Sequence, residues 1–304
     1  MVDQVASVRA ARRQLDTVAL TAGLLAPVTW GLTGACVRLL HGLPTLTIVT
    51  VRLAVAALVL VPWTFARRDK FPQALRSPLA LAMGGYYIFA TEAFVRAPVV
   101  DVTLLVGTAP VIAVGLEQLR GRSPVRQQVI GAMVAVLGLV MFLRPGSRIG
   151  NEQAFGYIFA LCAAAASATC AVGLRARAQT QQPLDPLVLT LLACVLGAVV
   201  SSFLELRTLL MSALPTPSPA QSAYLAILGC VCTAIPTLAF GVASTRLPSV
   251  LTTSLGLMTP LFAALFAGLL LDEWPAPAAV PGALMAIAGV VIVLRAPTQP
   301  TRSA

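Results

Sequence analysis

Two ionisable residues of this sequence lie inside stretches that are otherwise apolar, and they could hold a charge or exchange a proton. Glu92 and Arg52 each fall several residues inside an apolar run, and Arg96 follows Glu92 by four residues. A charge in hydrocarbon costs about 2.5 to 3.5 kcal/mol on insertion scales, so it requires a partner, water or a function. Residues four apart share a helix face, which predicts a Glu92–Arg96 pair. Glu92 is interpreted either as this structural pair or as a group that binds a ligand or couples a proton.

Arg52 has two interpretations as well. Its long side chain could snorkel or tie down a backbone carbonyl, or it could contact a ligand. Counted at about 1.5 Å per residue, Arg52 and Glu92 lie at similar depths within their helices. We therefore expect a charged cluster of Arg52, Glu92 and Arg96 on one side of the molecule.

Three aromatic residues, Trp30, Tyr86 and Tyr87, lie away from the ends of the apolar runs. They could stack on a flat or cationic ligand. Lone aromatics in apolar helices also serve as core, and that alternative stays open.

Two prolines, Pro110 and Pro260, stand within apolar runs and each removes a backbone donor, which frees a carbonyl in mid-helix. A nearby hydroxyl or a ligand can satisfy such a carbonyl. The alternative is a packing kink without ligand contact. The hydroxyl residues close to the two prolines are Thr108, Thr253, Ser254 and Thr259.

Several chemistries lack the residues they need. The single histidine, His41, has no cysteine or carboxylate cluster at metal-ligand spacing beside it, so no metal site is predicted. No phosphate-binding Walker motif is present, which argues against ATP hydrolysis. The chain is therefore expected not to be an enzyme and to hold no cofactor.

The composition indicates whether the chain folds in water or in a lipid bilayer. Of the residues, 58% are hydrophobic and only 11% are charged, and the mean hydropathy is +0.88. Soluble domains have roughly 25% charged residues, so this is predicted to be a membrane protein in contact with a lipid bilayer. A span needs about 20 apolar residues, and the chain supplies ten such segments. They run over 17–39, 45–65, 78–97, 99–119, 125–143, 154–174, 186–206, 222–244, 249–271 and 277–294.

The basic residues lie mostly in the predicted loops and on one side of the membrane. Most of the 21 basic residues fall on one side if the chain starts in the cytoplasm, as expected for cytoplasmic loops. This distribution predicts a multi-pass protein of the cytoplasmic (inner) membrane with both termini in the cytoplasm. It also explains the net charge of +10 without nucleic-acid binding. The excess of arginine over lysine indicates a GC-rich bacterial genome. The basic residues outside this set are Arg38, Arg52, Arg96, Arg144, Arg148 and Arg207.

The sequence contains an internal duplication. Arg96-Ala97-Pro98 aligns with Arg246-Leu247-Pro248, and Pro110 aligns with Pro260. Gly131 and Gly138 align with Gly282 and Gly289, one residue further on. The two copies are assigned to residues 17–144 and 154–295. Because each holds five helices, an odd number, the second crosses the bilayer in the opposite sense. The predicted fold is an all-α integral membrane protein of ten transmembrane helices in two inverted five-helix repeats.

These motifs resemble the pattern of EamA-type transporters in the drug/metabolite transporter superfamily. The resemblance rests on the ten-helix duplication and on short motifs that lie between residues 17 and 294. It implies that the third, fourth, eighth and ninth helices, with parts of the first and sixth, surround a central cavity. The short motifs are Thr29-Trp30-Gly31, Pro44, Arg52, Pro110, Pro260 and Asp272-Glu273, where the family commonly has Gly-Glu.

The resemblance and the inverted repeat together favour a secondary transporter that works by alternating access. The expected substrate is a small metabolite, an amino acid or a drug-like compound, moved outward as in many relatives. The proton motive force is the candidate energy source. The alternative is a membrane scaffold or subunit that binds a partner through the same bundle. No oligomeric state follows from the sequence.

Overall fold

The computed structural model describes residues 17–40, 42–97, 99–121, 125–143, 151–180, 183–211, 216–272, 274 and 277–296. All regular structure in these ranges is helical. The helices of the first half are α1 (Thr17–Arg38), α2 (Thr45–Thr64), α3 (Phe71–Leu75), α4 (Leu79–Arg96), α5 (Val99–Val106), α6 (Ala109–Leu119) and α7 (Arg126–Leu143). Those of the second half are α8 (Asn151–Ala178), α9 (Pro186–Met211), α10 (Pro219–Gly229), α11 (Ile235–Arg246), α12 (Ser249–Leu255), α13 (Thr259–Leu271) and α14 (Val280–Arg295).

Eight helical stretches are long and apolar enough to cross a bilayer. The other two predicted spans correspond to shorter apolar helices, Leu79–Phe94 and Arg126–Phe142. Several helices extend beyond the ranges that hydropathy predicts, most clearly α8 and α9. Polar residues at helix ends lower a hydropathy average although they continue the helix, so the predicted bounds are too short there. The predictions for both termini lie outside the described residues.

Two of the predicted helices are divided in the structure at equivalent positions. The first breaks between α5 and α6, and the second between α12 and α13, where a 3₁₀ turn covers Gly256–Met258. We predicted prolines in mid-helix, but Pro110 and Pro260 lie in the first turn of α6 and α13. The amide of a first-turn residue has no intrahelical partner, so proline costs little at that position. The chain thus accommodates each proline with a break rather than a kink.

The last helices of the two halves, α7 and α14, pack closely through glycine. A Cβ atom on Gly138 would collide with the backbone of Ala286, and one on Gly289 with the backbone of Ala135. Gly131 and Gly282 approach the opposite helix in the same way, near Val293 and Phe142. Residue numbers rise along one helix as they fall along the other, so the helices are antiparallel. Each contact also maps onto another when the aligned halves are exchanged, which indicates a local pseudo-twofold relation.

The two halves interlock elsewhere as well. Helix α4 packs along α8, and its counterpart α11 packs along α1. Helix α6 also contacts α8, and its counterpart α13 contacts α1. Small residues permit the close approaches: Gly156 lies against Ala97, and Gly23 lies against Ala243. The largest buried cluster is formed mainly by α2, α4 and α9, with contributions from α1, α8 and α11.

Candidate substrate site between the two halves

Arg52 is buried, with 4% of its surface exposed. Its Nε donates to Thr233 Oγ1 at 2.8 Å, and its Nη2 donates to the carbonyl oxygen of Cys232 at 3.2 Å. Residues Cys230–Ala234 form a π-helical turn, and Pro236 follows it. Pro236 has no amide hydrogen for the carbonyl four residues earlier, which belongs to Cys232. Arg52 therefore supplies the hydrogen bond that Pro236 cannot make.

Tyr87 links Arg52 to the neighbouring helices. The guanidinium carbon of Arg52 lies 5.0 Å from the centre of the Tyr87 ring, a cation–π distance. Trp30 Nε1 donates to the Tyr87 hydroxyl at 3.3 Å, and that hydroxyl also pairs with Thr237 Oγ1. Thr237 directs its only hydroxyl hydrogen to the carbonyl of Thr233 at 2.5 Å, so it accepts from Tyr87. The hydrogen bonds thus run in one direction, from Trp30 through Tyr87 to Thr237.

Aromatic rings form the wall of this region. The Trp30 ring lies 5.9 Å from that of Tyr86 and 5.6 Å from that of Phe240. Tyr86 and Tyr87 meet edge to face at 5.2 Å. Trp30 and Tyr86 are only partly buried, and both pack against the main buried cluster. We call the whole group the Tyr87 cluster: Trp30, Arg52, Tyr86, Tyr87, Thr233, Thr237 and Phe240.

A small cavity adjoins the Tyr87 cluster. Its volume is about 10 Å³, which is room for one water molecule. Thr237 and Phe240 belong both to the cluster and to the cavity wall. The cavity is lined by Met83, Cys170, Leu174, Leu189, Thr190, Thr237, Phe240 and Gly241.

The Tyr87 cluster contains four of the residues singled out from the sequence, and they come from three separate helices. Arg52 holds a backbone carbonyl, as one of its two interpretations predicted. The cluster also draws on the second half of the chain, through Thr233, Thr237 and Phe240. Relative movement of the halves would therefore change its shape.

Glu92 and Arg96 form a separate pair on α4. Arg96 Nη2 and Nε donate to Glu92 Oε2 at 3.0 and 3.2 Å, and Arg96 also lies over the ring of Phe159. The structure does not bring Glu92 to Arg52, because Arg52 is directed to the π-helical turn instead. Glu92 and Tyr87 lie on the same helix, α4, but they contact different residues. The depth of a residue along its helix, which is what the sequence gives, does not determine the direction of its side chain. The expected three-residue charged cluster is thus divided in two.

The hydroxyl groups near the two helix breaks bond mostly within their own helices. Thr108 Oγ1 donates to the carbonyl of Leu105 at 2.6 Å, and Thr253 Oγ1 donates to that of Ser249 at 2.9 Å. Ser254 is buried, and its hydroxyl has no hydrogen-bond partner in the part of the chain that the structure describes. Thr259 begins α13, next to Pro260. These residues do not join the Tyr87 cluster.

The sequence analysis missed the residues that the second half contributes to the cluster. The signal was present, because Pro236 lies in a predicted helix as Pro110 and Pro260 do. A proline at 236 frees the carbonyl of Cys232. The hydroxyls of Thr233 and Thr237 lie in the same stretch of sequence and could have been considered with it. Two buried carboxylates were missed as well. They are Glu117, which accepts from Ser249 Oγ at 2.7 Å, and Glu205, which accepts from Thr47 Oγ1.

The Tyr87 cluster combines several kinds of binding group. It offers one cation, hydroxyl groups and aromatic faces. Among the residues that the structure describes, no three histidine, cysteine or carboxylate side chains are grouped as metal ligands. The cluster can therefore recognise a small molecule by charge, hydrogen bonds and stacking.

Known proteins share this architecture and sequence pattern. Among solved structures, 29 chains match, and one crystal structure of a protein has a TM-score of 0.75 at 19% identity. That match covers 91% of this chain and 96% of the other, and it shows a shared fold. No curated protein matches the chain. The sequence model of the EamA-like transporter family matches twice, over residues 17–144 and 154–295. The chain is therefore a multi-pass membrane protein that belongs to the EamA-like transporter family.

Proposed function

We propose that the chain is a secondary active transporter that exports a small metabolite, an amino acid or a drug-like compound across the cytoplasmic membrane. The family is one of transporters, and the direction and the substrate range are our proposal. The observation that carries the proposal is the position of the Tyr87 cluster, which takes residues from both halves of a duplicated bundle. A binding site between two repeats is the arrangement that alternating access requires.

The proposed topology has ten transmembrane helices, with α3 outside the count and the divided pairs α5–α6 and α12–α13 each crossing once. Both termini lie in the cytoplasm, and the second repeat is inverted. The antiparallel contact of α7 with α14 supports this inversion. In our proposal, rocking of the two repeats exposes the Tyr87 cluster first to one side of the membrane and then to the other.

Thr237 offers a direct test of the site. Purified protein in proteoliposomes is assayed with a panel of labelled amino acids, metabolites and drug-like compounds. Thr237→Val removes the hydroxyl that joins Tyr87 to the Thr233 carbonyl and keeps the side-chain shape. Thr245→Val is the matched control on the same helix, because the Thr245 hydroxyl donates only to the carbonyl of Val242 in its own turn. We expect the first variant to lower transport of any active compound at least tenfold and the second to leave it unchanged.

Transport of no compound in either membrane orientation would refute the proposal. In that case, a stable stoichiometric complex with another membrane protein would support the scaffold alternative. Equal loss in both threonine variants would place the site elsewhere.

The proposed energy source is the proton motive force, and Glu92 is the candidate coupling group. Glu92 is partly buried beside Arg96, with 19% of its side chain exposed. A carboxylate whose arginine contact changes as the bundle moves can gain or lose a proton in each cycle. Its role is tested by comparing uptake with and without a pH gradient.

A further inference from the structure

We propose that the Tyr87 cluster selects compounds that carry an anionic group, such as a carboxylate, next to an aromatic or apolar body. This inference rests on the proposed transport function and narrows its substrate class. The inference starts from the charge of Arg52, which is buried and with which no carboxylate of the described residues forms an ion pair.

No described carboxylate forms an ion pair with Arg52. The three carboxylates buried or half-buried in the described helices are bonded elsewhere: Glu92 to Arg96, Glu117 to Ser249, and Glu205 to Thr47. The described partners of Arg52 are the Cys232 carbonyl, the Thr233 hydroxyl and the Tyr87 ring, which are all neutral. A buried cation without a counter-charge is unfavourable in a low-dielectric interior, so an anion that reaches it gains strongly.

Arg52 also has donors to spare. A guanidinium carries five N–H groups, and the described residues accept from Nε and Nη2 of Arg52 but not from Nη1. The bond to Cys232 holds the guanidinium in place before a ligand arrives. Such a fixed fork suits the two oxygens of a carboxylate.

A cationic substrate does not suit the same place. The face of Tyr87 is occupied by the Arg52 guanidinium, so the cation–π position there is filled by the protein itself. A second cation beside it would be repelled. Trp30 and Tyr86 keep part of their surface exposed, which a flat apolar body could contact. This changes our sequence-based expectation, in which the aromatics could have stacked on a cation.

Trp30 makes the selection measurable. The chain has three tryptophans, and Trp63 and Trp274 are exposed at 70% and 59% and do not belong to the cluster. Replacing those two with phenylalanine leaves Trp30 as the only tryptophan, inside the cluster. The probes are three nitrobenzenes that quench tryptophan and differ mainly in charge: 4-nitrobenzoate, 4-nitrobenzamide and 4-nitrobenzylammonium. The protein is placed in nanodiscs of zwitterionic lipid at 0.15 M salt, which screens the net positive charge beyond about 8 Å.

We expect 4-nitrobenzoate to reach half-saturation at a concentration about tenfold below that of the amide, since a charged hydrogen bond contributes that much. The ammonium probe should bind most weakly. Arg52→Gln should remove the difference between the anion and the amide, whereas Arg76→Gln, at an exposed arginine, should preserve it. A protein with Trp63 as its only tryptophan serves as the control for partition into lipid. If Arg52→Gln does not fold, the relative affinities of the three probes for the protein that keeps Arg52 still test the inference.

Equal binding of the anion and the amide, or preference for the ammonium probe, would overturn the inference. The transport proposal is judged separately, by flux. If some compound is transported but the probes show no preference for the anion at Trp30, the proposed selectivity is refuted and the transport function is not. Anion preference at Trp30 without flux of any compound refutes transport alone.

Discussion

Gly138 and Gly289 provide the sharpest test of the arrangement of the two halves. They occupy equivalent positions in α7 and α14, and a Cβ at either would meet the backbone of the other helix rather than a movable side chain. Gly138→Ala and Gly289→Ala therefore force the helices apart. Gly34→Ala is the matched control, because a Cβ there meets nothing within 4 Å.

The expected magnitude follows from two opposing effects. Alanine stabilises a helix by about 0.5 to 1 kcal/mol relative to glycine. Overpacking against a rigid neighbour costs about 1 to 3 kcal/mol. We expect a net loss of about 1 to 2 kcal/mol for Gly138→Ala, where both effects act. Gly34→Ala should be neutral or slightly stabilising, because only the first effect acts.

Thermal unfolding in detergent measures the difference. Cys170, Cys194 and Cys232 are buried, so a thiol-reactive dye that fluoresces on reaction reports their exposure. We expect the melting temperature to fall by about 2 to 6 °C for Gly138→Ala. Gly289→Ala should give the same fall, because the two glycines are exchanged by the pseudo-twofold relation. A melting temperature for Gly138→Ala equal to that of Gly34→Ala would refute the close packing, and unequal effects at the two glycines would refute the symmetry.

Four further outcomes are expected. Tyr87→Phe removes the hydroxyl between Trp30 and Thr237 and should destabilise the protein by about 1 to 2 kcal/mol, because the partly buried indole N–H of Trp30 loses its acceptor; Tyr224→Phe, measured by the same thermal assay, should have little effect. Glu92→Gln should abolish transport driven by a pH gradient while substrate exchange persists, whereas Arg96→Gln, which also breaks the pair but keeps the carboxylate, should retain a response; identical behaviour of the two variants would reduce Glu92 to a structural partner. In a cysteine-free protein, single cysteines at Ser218 and at Ser147, which lies outside the described residues, should react with an impermeant thiol reagent added outside the cell, and one at Thr180 should not; the reverse pattern would invert the topology. Cysteines at Thr108 and Thr259 should be protected from aqueous reagents by substrate, and labelling from lipid alone would exclude them from a cavity.

The duplication and the membrane class could be predicted from the sequence because both are recorded locally. Hydrocarbon disfavours charged side chains, so spans contain few of them and composition alone indicates a membrane protein. Repeated prolines and glycines keep their spacing whichever way the chain folds. Gly131, Gly138, Gly282 and Gly289 were recognised as equivalents on this basis, although their contact with the opposite helix was not predicted.

The helix breaks show where a local pattern has two structural outcomes. A proline in an apolar run is compatible with a kink or with a new helix start. Pro110 and Pro260 adopt the second, and Pro236 follows a π-helical turn. Which outcome occurs depends on the partners that the surrounding helices offer to the freed carbonyl, and Arg52 is such a partner for Cys232.

The residues of the candidate site were only partly predictable, because a local pattern shows that a residue is unusual but not what it contacts. The sequence determines that Arg52, Trp30, Tyr86 and Tyr87 are unusual in their apolar surroundings, since burying a charge or a polar aromatic requires a compensating contact. Only the tertiary structure decides which contact is made. Arg52 bonds residues 180 and 181 positions away, and Tyr87 bonds Thr237 across 150 positions. Such pairs depend on the rotation and crossing of whole helices, which side-chain packing sets jointly across the bundle, and no local stretch of sequence contains that information.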